Sequence, residues 1–191
     1  MIATLRPLTY DDLKDTPDDG QRYEIIGGEL LVTPSPTAGH QRVLFRLAKL
    51  LDDYVLRHGT GEVFVAPFDV LLGAFDAVEP DIVYLSAARP RVANDENSID
   101  YALDLVVEVA SPSSHRIDRV KKMALYARSG VADYWIADPM RRRIDVYTLA
   151  GENYLPVESD ADGHIPLQAL RGLRVDPAAI FPDSSETRVV G

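Results

Sequence analysis

The sequence predicts a mixed α/β (α+β) fold in which a parallel or mixed β-sheet lies between helices. Residues 103–114 open with an almost continuous apolar run and end in Ser-Pro, a pattern typical of a strand that is covered on both faces. A second β-branched and aromatic run follows the Glu-Pro-Asp triplet at residues 79–81. Two segments with apolar residues at helical spacing, 40–58 and 113–129, supply helices to cover the sheet.

The first half of the chain predicts five elements. In order, these are a short helix before the loop at 17–20, a β-hairpin at 23–33, a helix at 40–58, a strand at 62–72 and a strand at 78–86. Gly27-Gly28 marks the hairpin turn, and Gly59 ends the long helix. Pro67 predicts a bulge or a sheet edge within its strand, because proline lacks the backbone N–H that a ladder needs.

The second half predicts a surface loop, one helix, four strands and a packing segment. In order, these are the loop at 87–101, a strand around Glu108, a helix at 113–129, strands at 132–138, 143–149 and 153–157, and apolar packing at 173–181. The helix carries Ile117, Val120, Ala124 and Ala127 along one side, which predicts the face that packs on the core. Trp135 is expected in the core.

Composition restricts the classes of function. The chain has 191 residues, 46% of them hydrophobic, which is enough for a single domain over 1–191 with a real core. A formal net charge of −10 argues against broad, nonspecific polyanion binding but leaves room for a local basic strip. The absence of cysteine excludes disulfides, thiolate nucleophiles and zinc ribbons. The N-terminus lacks the apolar core of a signal peptide and no run is long enough for a membrane span, so a soluble cytoplasmic protein is expected.

Two acids form a candidate metal site. Glu108 sits inside a strand that reads as buried, where a carboxylate must be paired, hydrogen-bonded or bound to a cation. Asp81 stands at the mouth of another strand, after a proline that holds the chain extended. Two acids on adjacent strands can share a hard divalent cation such as Mg²⁺. The alternative is that Asp81 is a turn residue and Glu108 an ion-paired acid of the core.

Four motifs stand in a fixed order along the chain. They are Glu-Pro-Asp ending at Asp81, Leu-Val-Val-Glu-Val-Ala-Ser-Pro-Ser-Ser around Glu108, Asp-Arg-Val-Lys-Lys-Met-Ala-Leu-Tyr at 118–126, and Gly-Val-Ala-Asp-Tyr-Trp-Ile-Ala-Asp-Pro at 130–139. The ordered set resembles the Uma family of restriction-endonuclease-like proteins, a bacterial branch of the PD-(D/E)xK nuclease superfamily. The resemblance covers nearly the whole chain, from the hairpin to Leu-Arg-Val-Asp at 173–176.

This resemblance implies a restriction endonuclease-like fold, with a mixed central sheet flanked by helices and an N-terminal β-hairpin. It also implies that Asp81 and Glu108 are metal ligands and that the backbone carbonyl of Val109 completes the site. The superfamily usually places a lysine two residues after the second acid, where this chain has Ala110. The lysine of this branch looks as though it has migrated to the following helix, and the Lys-x-x-x-Tyr spacing selects Lys122.

The helix pattern bears on that choice of lysine. Asp118, Lys122 and Tyr126 are four residues apart and share one stripe, whereas Lys121 points about 100° away from it. The alternative for Lys122 is a solvated helix lysine paired with Asp118. Without the resemblance, the residues alone favour that alternative.

The implied function is Mg²⁺-dependent hydrolysis of DNA phosphodiester bonds, with Mn²⁺ as a substitute and a homodimer suited to cutting both strands. Asp81, Glu108 and Lys122 would be the catalytic residues. Glu24 and His40 are candidate auxiliary groups. From the sequence alone, Glu24 and Glu29 are expected to be exposed hairpin acids, with the alternative that either approaches a site from the side, and His40 is expected to be a capping or surface histidine.

Charge distribution leaves other functions open. Residues 116–143 carry eight basic and three acidic side chains, which suits a phosphate backbone but also an ordinary solvated helix face and hairpin tip. The net acidic charge and the missing strand lysine allow a second function class, a catalytically silent nucleic-acid-binding or assembly protein. A glycosidase with a carboxylate pair is a weaker third reading, because no aromatic sugar platform is evident.

Overall fold

The computed structural model describes residues 6–93, 96, 98–112, 114–159, 167 and 169–181. Its strands form two mixed β-sheets flanked by helices, so the predicted fold class is confirmed. The strands are β1 Arg22–Ile26, β2 Glu29–Thr33, β3 Gly61–Val65, β4 Asp69–Gly73, β5 Asp76–Val78, β6 Ile82–Ser86, β7 Ser98–Ile99, β8 Leu105–Val109, β9 Asp133–Asp138, β10 Arg143–Ala150 and β11 Asn153–Val157. The helices are a 3₁₀ helix at Tyr10–Asp15, α1 at Ala38–His58, a π-helical turn at Ile117–Lys122 that continues as α2 at Met123–Arg128, and α3 at Pro177–Ile180.

The larger sheet has six strands in the spatial order β11-β10-β9-β8-β6-β3. Strands β8 and β9 are parallel, and the other neighbours are antiparallel. The smaller sheet has the order β2-β1-β5-β4-β7, so the predicted N-terminal hairpin forms one end of a second, five-stranded sheet. The structure therefore adds a whole sheet to the hairpin that the sequence predicts.

Strand β8 is covered on both faces, as its composition predicts. Leu105, Val107 and Val109 belong to a core that includes α1 and the C-terminal segment. Val106 and Ala110 belong to a second core, on the face covered by α2 and the smaller sheet. Alternate residues of a strand point to opposite faces, so Glu108 lies on the same face as Val106. This alternation decides which elements can reach the glutamate.

Helix α1 supports the first of these faces. Its apolar stripe buries Leu47 and Leu51 completely, and Trp135 of β9 is fully buried in the same core, as predicted. Thr37 caps the helix by accepting a hydrogen bond from the backbone N–H of His40, and Gly59 ends it in the left-handed conformation. No helix in the described part of the chain combines the length and apolar character needed to cross a membrane.

The single strand predicted at 62–72 is wrong. The segment forms β3 at one edge of the larger sheet and β4 in the smaller sheet, with Pro67 between them. Proline cannot donate to the ladder, so pairing stops there and the chain crosses from one sheet to the other. The sequence correctly indicates an interruption, but not the change of sheet.

The predicted apolar face of the second helix is also wrong. Val120 and Ala124 are exposed, whereas Asp118 and Lys122 are buried. The buried side of the π turn and α2 is therefore the polar stripe, continued by Tyr126 and Leu125. The reason is that this side faces Glu108 and the other acids of a single site.

Candidate active site

The register of β6 and β8 brings the two predicted acids together. Ile82 pairs with Val107 in this antiparallel ladder, so one further step places Asp81 opposite Glu108 on the same face of the sheet. Both are buried, with 1% and 3% of their surface exposed. The backbone N–H of Val109 donates to Asp81 Oδ2 at 2.7 Å. The structure thus juxtaposes the acids as the sequence predicts.

The π turn and α2 place the predicted lysine on Glu108. Lys122 Nζ lies 2.9 Å from Glu108 Oε1, and the Tyr126 hydroxyl donates to the same oxygen at 2.7 Å. Lys122 is 3% exposed, so the alternative of a solvated helix lysine is wrong. Lys121 instead lies at the surface and pairs with Glu29. Adjacent positions of the helix therefore carry an exposed ammonium, at Lys121, and a buried one, at Lys122.

The smaller sheet contributes a third acid, contrary to expectation. Glu24 of β1 is buried, because its side chain points to Lys122 Nζ at 2.8 Å and also accepts the backbone N–H of Glu79 at 2.9 Å. Glu29, at the other side of the hairpin, is exposed as expected. A hairpin alone gives no sign of what lies against its inner face, so the sequence could not separate these two glutamates.

Helix α1 contributes His40, whose ring is buried rather than at the surface. Its Nε2 lies 3.2 Å from Asp81 Oδ1, a contact outside hydrogen-bond geometry, and makes no hydrogen bond within the described residues. The N-cap is Thr37, whose side chain accepts the backbone N–H of His40, so the capping role predicted for His40 is wrong. The imidazole instead adds a buried ring nitrogen to the acidic cluster.

Sequence reasoning missed Arg22. Its Nη1 lies 3.0 Å from Asp81 Oδ1, and its Nε lies 2.8 Å from a carboxylate oxygen of Glu79. Arg22 and Glu24 are two residues apart on β1, so they share a face. Strand alternation was the available signal: once Glu24 is placed at the site, Arg22 follows.

These side chains line a cleft of about 300 Å³. The cleft is bordered by the segment after β2, by the start of α1 and by the loop from β8 to the π turn; its polar lining includes Arg22, Glu24, His40, Asp81, Glu108, Ser114, Asp118 and Lys122. Ser114 donates to Asp118 Oδ2 at 2.8 Å. Val109, the third predicted metal ligand, also lines the cleft. The two sheets and both long helical segments therefore meet at one concave site.

Burial and charge shift the pKa values of this cluster in opposite directions. Burial, reinforced by neighbouring acids, raises the pKa of Glu108 despite Lys122. Burial likewise raises the pKa of Asp118 to about 6. For Asp81 burial acts in the same direction, but His40, Arg22 and the Val109 N–H outweigh it and hold its pKa below the usual range. Lys122 is buried among acids that raise its pKa and keep it charged.

A raised pKa for both Glu108 and Lys122 is consistent with an excess of acids. Glu24, Asp81, Glu108 and Asp118 are each at most 3% exposed. Among the described contacts, only Lys122 and Arg22 bring fixed positive charge to these four acids, which leaves a formal surplus of two negative charges with histidine counted as uncharged. A buried surplus of this kind is relieved by proton uptake or by a cation.

The donor chemistry fits a hard divalent metal. Carboxylates and a backbone carbonyl are the ligands that Mg²⁺ and Mn²⁺ prefer, and one divalent cation would balance the surplus. Within the described residues, no group of three or more His, Asp or Glu side chains is already arranged around a common point. Cationic side chains instead lie against Asp81 and Glu108. These two acids supply carboxylate oxygens of the kind that such a metal takes.

The basic segment at 116–143 is largely paired with acids. Its ion pairs are Lys121 with Glu29, Arg128 with Asp76, Arg141 with Asp138, and both Arg119 and Arg143 with Asp145. Pairing reduces the local excess of positive charge that the sequence alone indicates. Most of the basic side chains on this surface are therefore neutralised by acidic partners and do not form an extended strip of unpaired positive charge.

The fold and the cleft define a class of protein with two mixed sheets flanked by helices and with a cluster of acids and a lysine where the sheets meet. Residues 9–178 match the model of the Uma2 family, described as "Putative restriction endonuclease", and the chain belongs to that family. Membership supports a nuclease.

Individual proteins are also similar to this chain. "Uncharacterized protein sll1609" of Synechocystis sp. is 23% identical over 155 residues, which covers 80% of this chain and 86% of that protein. A crystal structure of a protein from Anabaena variabilis, described as a putative nuclease belonging to DUF820, superposes with a TM-score of 0.75 at 21% identity. That match covers 92% of this chain and 98% of the Anabaena chain, and supports the fold.

Proposed function

We propose that this protein is a metal-dependent DNA endonuclease that hydrolyses phosphodiester bonds. The observation that carries the proposal is the buried set of Asp81, Glu108 and Lys122 at the floor of the cleft, with Lys122 Nζ 2.9 Å from Glu108. Membership of the Uma2 family supports the same reaction class. The surplus of buried negative charge supports the need for a divalent cation, and we take it to be Mg²⁺, with Mn²⁺ as a substitute.

The residues of the cleft would divide the work of hydrolysis. Asp81, Glu108 and the Val109 carbonyl would hold the metal, which when bound lowers the pKa of water and neutralises charge on the phosphoryl oxygens. Lys122 would orient the attacking water and stabilise the transition state through its ammonium, which the surrounding acids keep charged. Tyr126 fixes the Glu108 carboxylate by a hydrogen bond.

Glu24 and His40 would act as auxiliary groups. Glu24 lies 2.8 Å from Lys122 Nζ, so it positions that ammonium and helps to keep it charged. His40 lies 3.2 Å from Asp81 at the metal-binding end of the cleft, where its imidazole can accept or donate a proton near the substrate. Both side chains already contact the groups on which they would act.

Plasmid nicking by purified protein tests the proposal. We expect cleavage with Mg²⁺ or Mn²⁺, none with EDTA, and a loss of about a hundredfold or more in Glu108→Ala and Lys122→Ala. The matched controls are Lys121→Ala and Glu29→Ala, which remove the same side chains from the surface and should cleave as the parent does. Equal cleavage by all variants would identify a contaminant and contradict the proposal.

A finer feature, the oligomeric state, belongs to the same proposal. A homodimer would place two clefts about a twofold axis and cut both strands of a duplex. Gel filtration that gives only monomer at nicking concentrations would remove the dimer but leave the cleft chemistry intact.

The second candidate is a catalytically silent nucleic-acid-binding or assembly protein. The observation that favours it is the occupation of Asp81 and Glu108 by Arg22 and Lys122, which can stabilise the fold without any reaction. Binding of DNA duplex without cleavage in Mg²⁺ or Mn²⁺, unchanged in Glu108→Ala, would favour this function over hydrolysis.

A further inference from the structure

One cation in the cleft has no place in the hydrolytic scheme above. Arg22 is mostly buried, with 19% of its side chain exposed, and it lies at the end of the cleft that Asp81 forms. It bonds to Asp81 Oδ1 and to the backbone carbonyl of Glu79, and its Nε pairs with the Glu79 carboxylate. The guanidinium is thus held by Glu79 through Nε and contacts Asp81 through Nη1.

The two oxygens of Asp81 are not equivalent. Oδ2 accepts the backbone N–H of Val109 at 2.7 Å, a bond that belongs to the fixed strand framework. Within the described part of the chain, Oδ1 is contacted by side chains alone, Arg22 Nη1 at 3.0 Å and His40 Nε2 at 3.2 Å. Oδ1 is therefore the oxygen at which a partner can be exchanged without disturbing the sheet.

We propose that Arg22 is a displaceable counter-ion, which competes with a divalent cation for Asp81 Oδ1 and, once released, binds a phosphate oxygen of the substrate. This inference rests on the proposed metal site. Two cations that share one carboxylate oxygen repel each other, so Arg22 must weaken as a partner of Asp81 when the metal binds. Its Nε contact with Glu79 keeps the head in the cleft, and a guanidinium has five N–H donors that suit phosphate.

The first test measures the affinity of the full-length chain for Mn²⁺ in the absence of DNA. Electron paramagnetic resonance is the readout of Mn²⁺ binding. Arg22→Met keeps the alkyl chain and removes the charge, so Mn²⁺ should bind about tenfold tighter or more. Lys49→Met is the matched control, because Lys49 pairs with Asp53 on the exposed side of α1 and its loss removes the same charge far from the acids. Its Mn²⁺ affinity should stay within about threefold of the parent.

The second test is cleavage of a DNA duplex at saturating Mn²⁺. Arg22→Met should be slower by about a hundredfold in kcat, although it binds the metal more tightly, because it lacks the phosphate contact. A merely structural arginine would lower metal affinity and rate together. Tighter Mn²⁺ binding with an unchanged kcat would overturn the phosphate-binding half of the inference.

A measurement on the parent protein covers the case in which Arg22→Met does not fold. Titration with diamagnetic Mg²⁺ should shift the NMR signal of the Arg22 Nε–H, which Arg22→Lys identifies by its loss. An unmoved signal in protein that binds Mg²⁺ overturns the inference.

The outcomes separate this inference from the proposed function. Mn²⁺ binding by the parent with equal or weaker binding by Arg22→Met overturns the inference and leaves metal-dependent hydrolysis standing. Failure of both proteins to bind Mn²⁺ overturns the two together. Binding by Arg22→Met but not by the parent supports the inference in its strongest form.

Discussion

Replacement of Lys122 by methionine is the sharpest test of how this site is built into the fold. The substitution keeps a chain of similar length and removes the ammonium, whose Nζ lies 2.8 Å from Glu24 and 2.9 Å from Glu108. All three side chains are at most 3% exposed at the floor of the cleft, so water is a poor substitute for the lost cation. Removing one partner of a buried ion pair costs about 3–5 kcal/mol, a large part of the about 5–15 kcal/mol that stabilises a typical domain.

The cost should depend on pH in a direction that the site dictates. Without Lys122, the pKa of Glu108 rises further above its usual range, because the cation that lowers it is gone. An acid whose folded-state pKa is raised binds a proton more tightly in the folded state, so its stabilising contribution is present at low pH and is lost as pH rises through the folded pKa. The difference in unfolding free energy between parent and Lys122→Met should therefore be smallest below about pH 8, where Glu108 is protonated in both folded proteins, and should grow above it, where only the parent loses that proton.

Urea unfolding followed by Trp135 fluorescence measures this difference, since Trp135 is the only tryptophan and is fully buried in the core beneath the site. Lys121→Met is the control: its lysine is 43% exposed and its loss should change stability by less than about 1 kcal/mol. Adding Glu24→Gln to Lys122→Met should restore part of the loss. A cost below about 1 kcal/mol at pH 8, or one that grows toward acid, would refute the reasoning.

Three further changes test other parts of the structure. Asp118→Asn should stabilise the protein increasingly as pH rises from about 4 to 6, by at most about 3 kcal/mol, because burial raises the Asp118 pKa from 3.8 to about 6; urea unfolding at each pH measures it. Tyr126→Phe removes a 2.7 Å hydrogen bond to buried Glu108 and should cost about 1–3 kcal/mol by the same assay. Gly61→Ala should cost more than about 2 kcal/mol in thermal unfolding, because its new Cβ would lie 1.9 Å from the Leu85 carbonyl oxygen.

The changes at Asp118 and Gly61 each have a matched control. Asp53→Asn alters an α1 acid whose side chain is 47% exposed, so it should lack the stability gain expected from removal of the buried Asp118 charge. Gly130→Ala introduces a Cβ with no atom within 4 Å, so only the strain of its left-handed conformation, about 1 kcal/mol, should appear. A stability gain for Asp118→Asn that is the same at pH 4 and pH 7 would contradict the assigned pKa.

The sequence predicts the helices and strands well where apolar periodicity and residues that end an element, such as glycine and proline, carry the information. The long helix, its end at Gly59 and the buried strand around Glu108 follow from local patterns, and the structure agrees. The stripe of Asp118, Lys122 and Tyr126 was equally visible, because a spacing of four residues fixes a common face. What the pattern could not state was which face is buried, and Val120 and Ala124 were assigned to the core incorrectly.

The missing parts of the site depend on contacts between elements distant in sequence. Glu24 reaches Lys122 across 98 positions of the chain only because the smaller sheet folds its hairpin over the cleft. Arg22 meets Asp81 for the same reason. A hairpin signal specifies a turn and two strands, but the strand that borders it, β5, follows α1 and two more strands. No local property of residues 22–33 contains that pairing.

The smaller sheet therefore contributes charged side chains to the cleft and does not only pack beside it. If β1 were absent, Lys122 would keep Glu108 but lose Glu24, and Asp81 would lose its only arginine among the described contacts. The cluster needs both cations, because four buried carboxylates cannot remain charged without compensation. The surplus of buried negative charge makes the cleft suitable for a divalent metal. In the metal-free protein, the same surplus has to be compensated by side chains that include Arg22 of the smaller sheet. This requirement explains why the site lies where the two sheets meet.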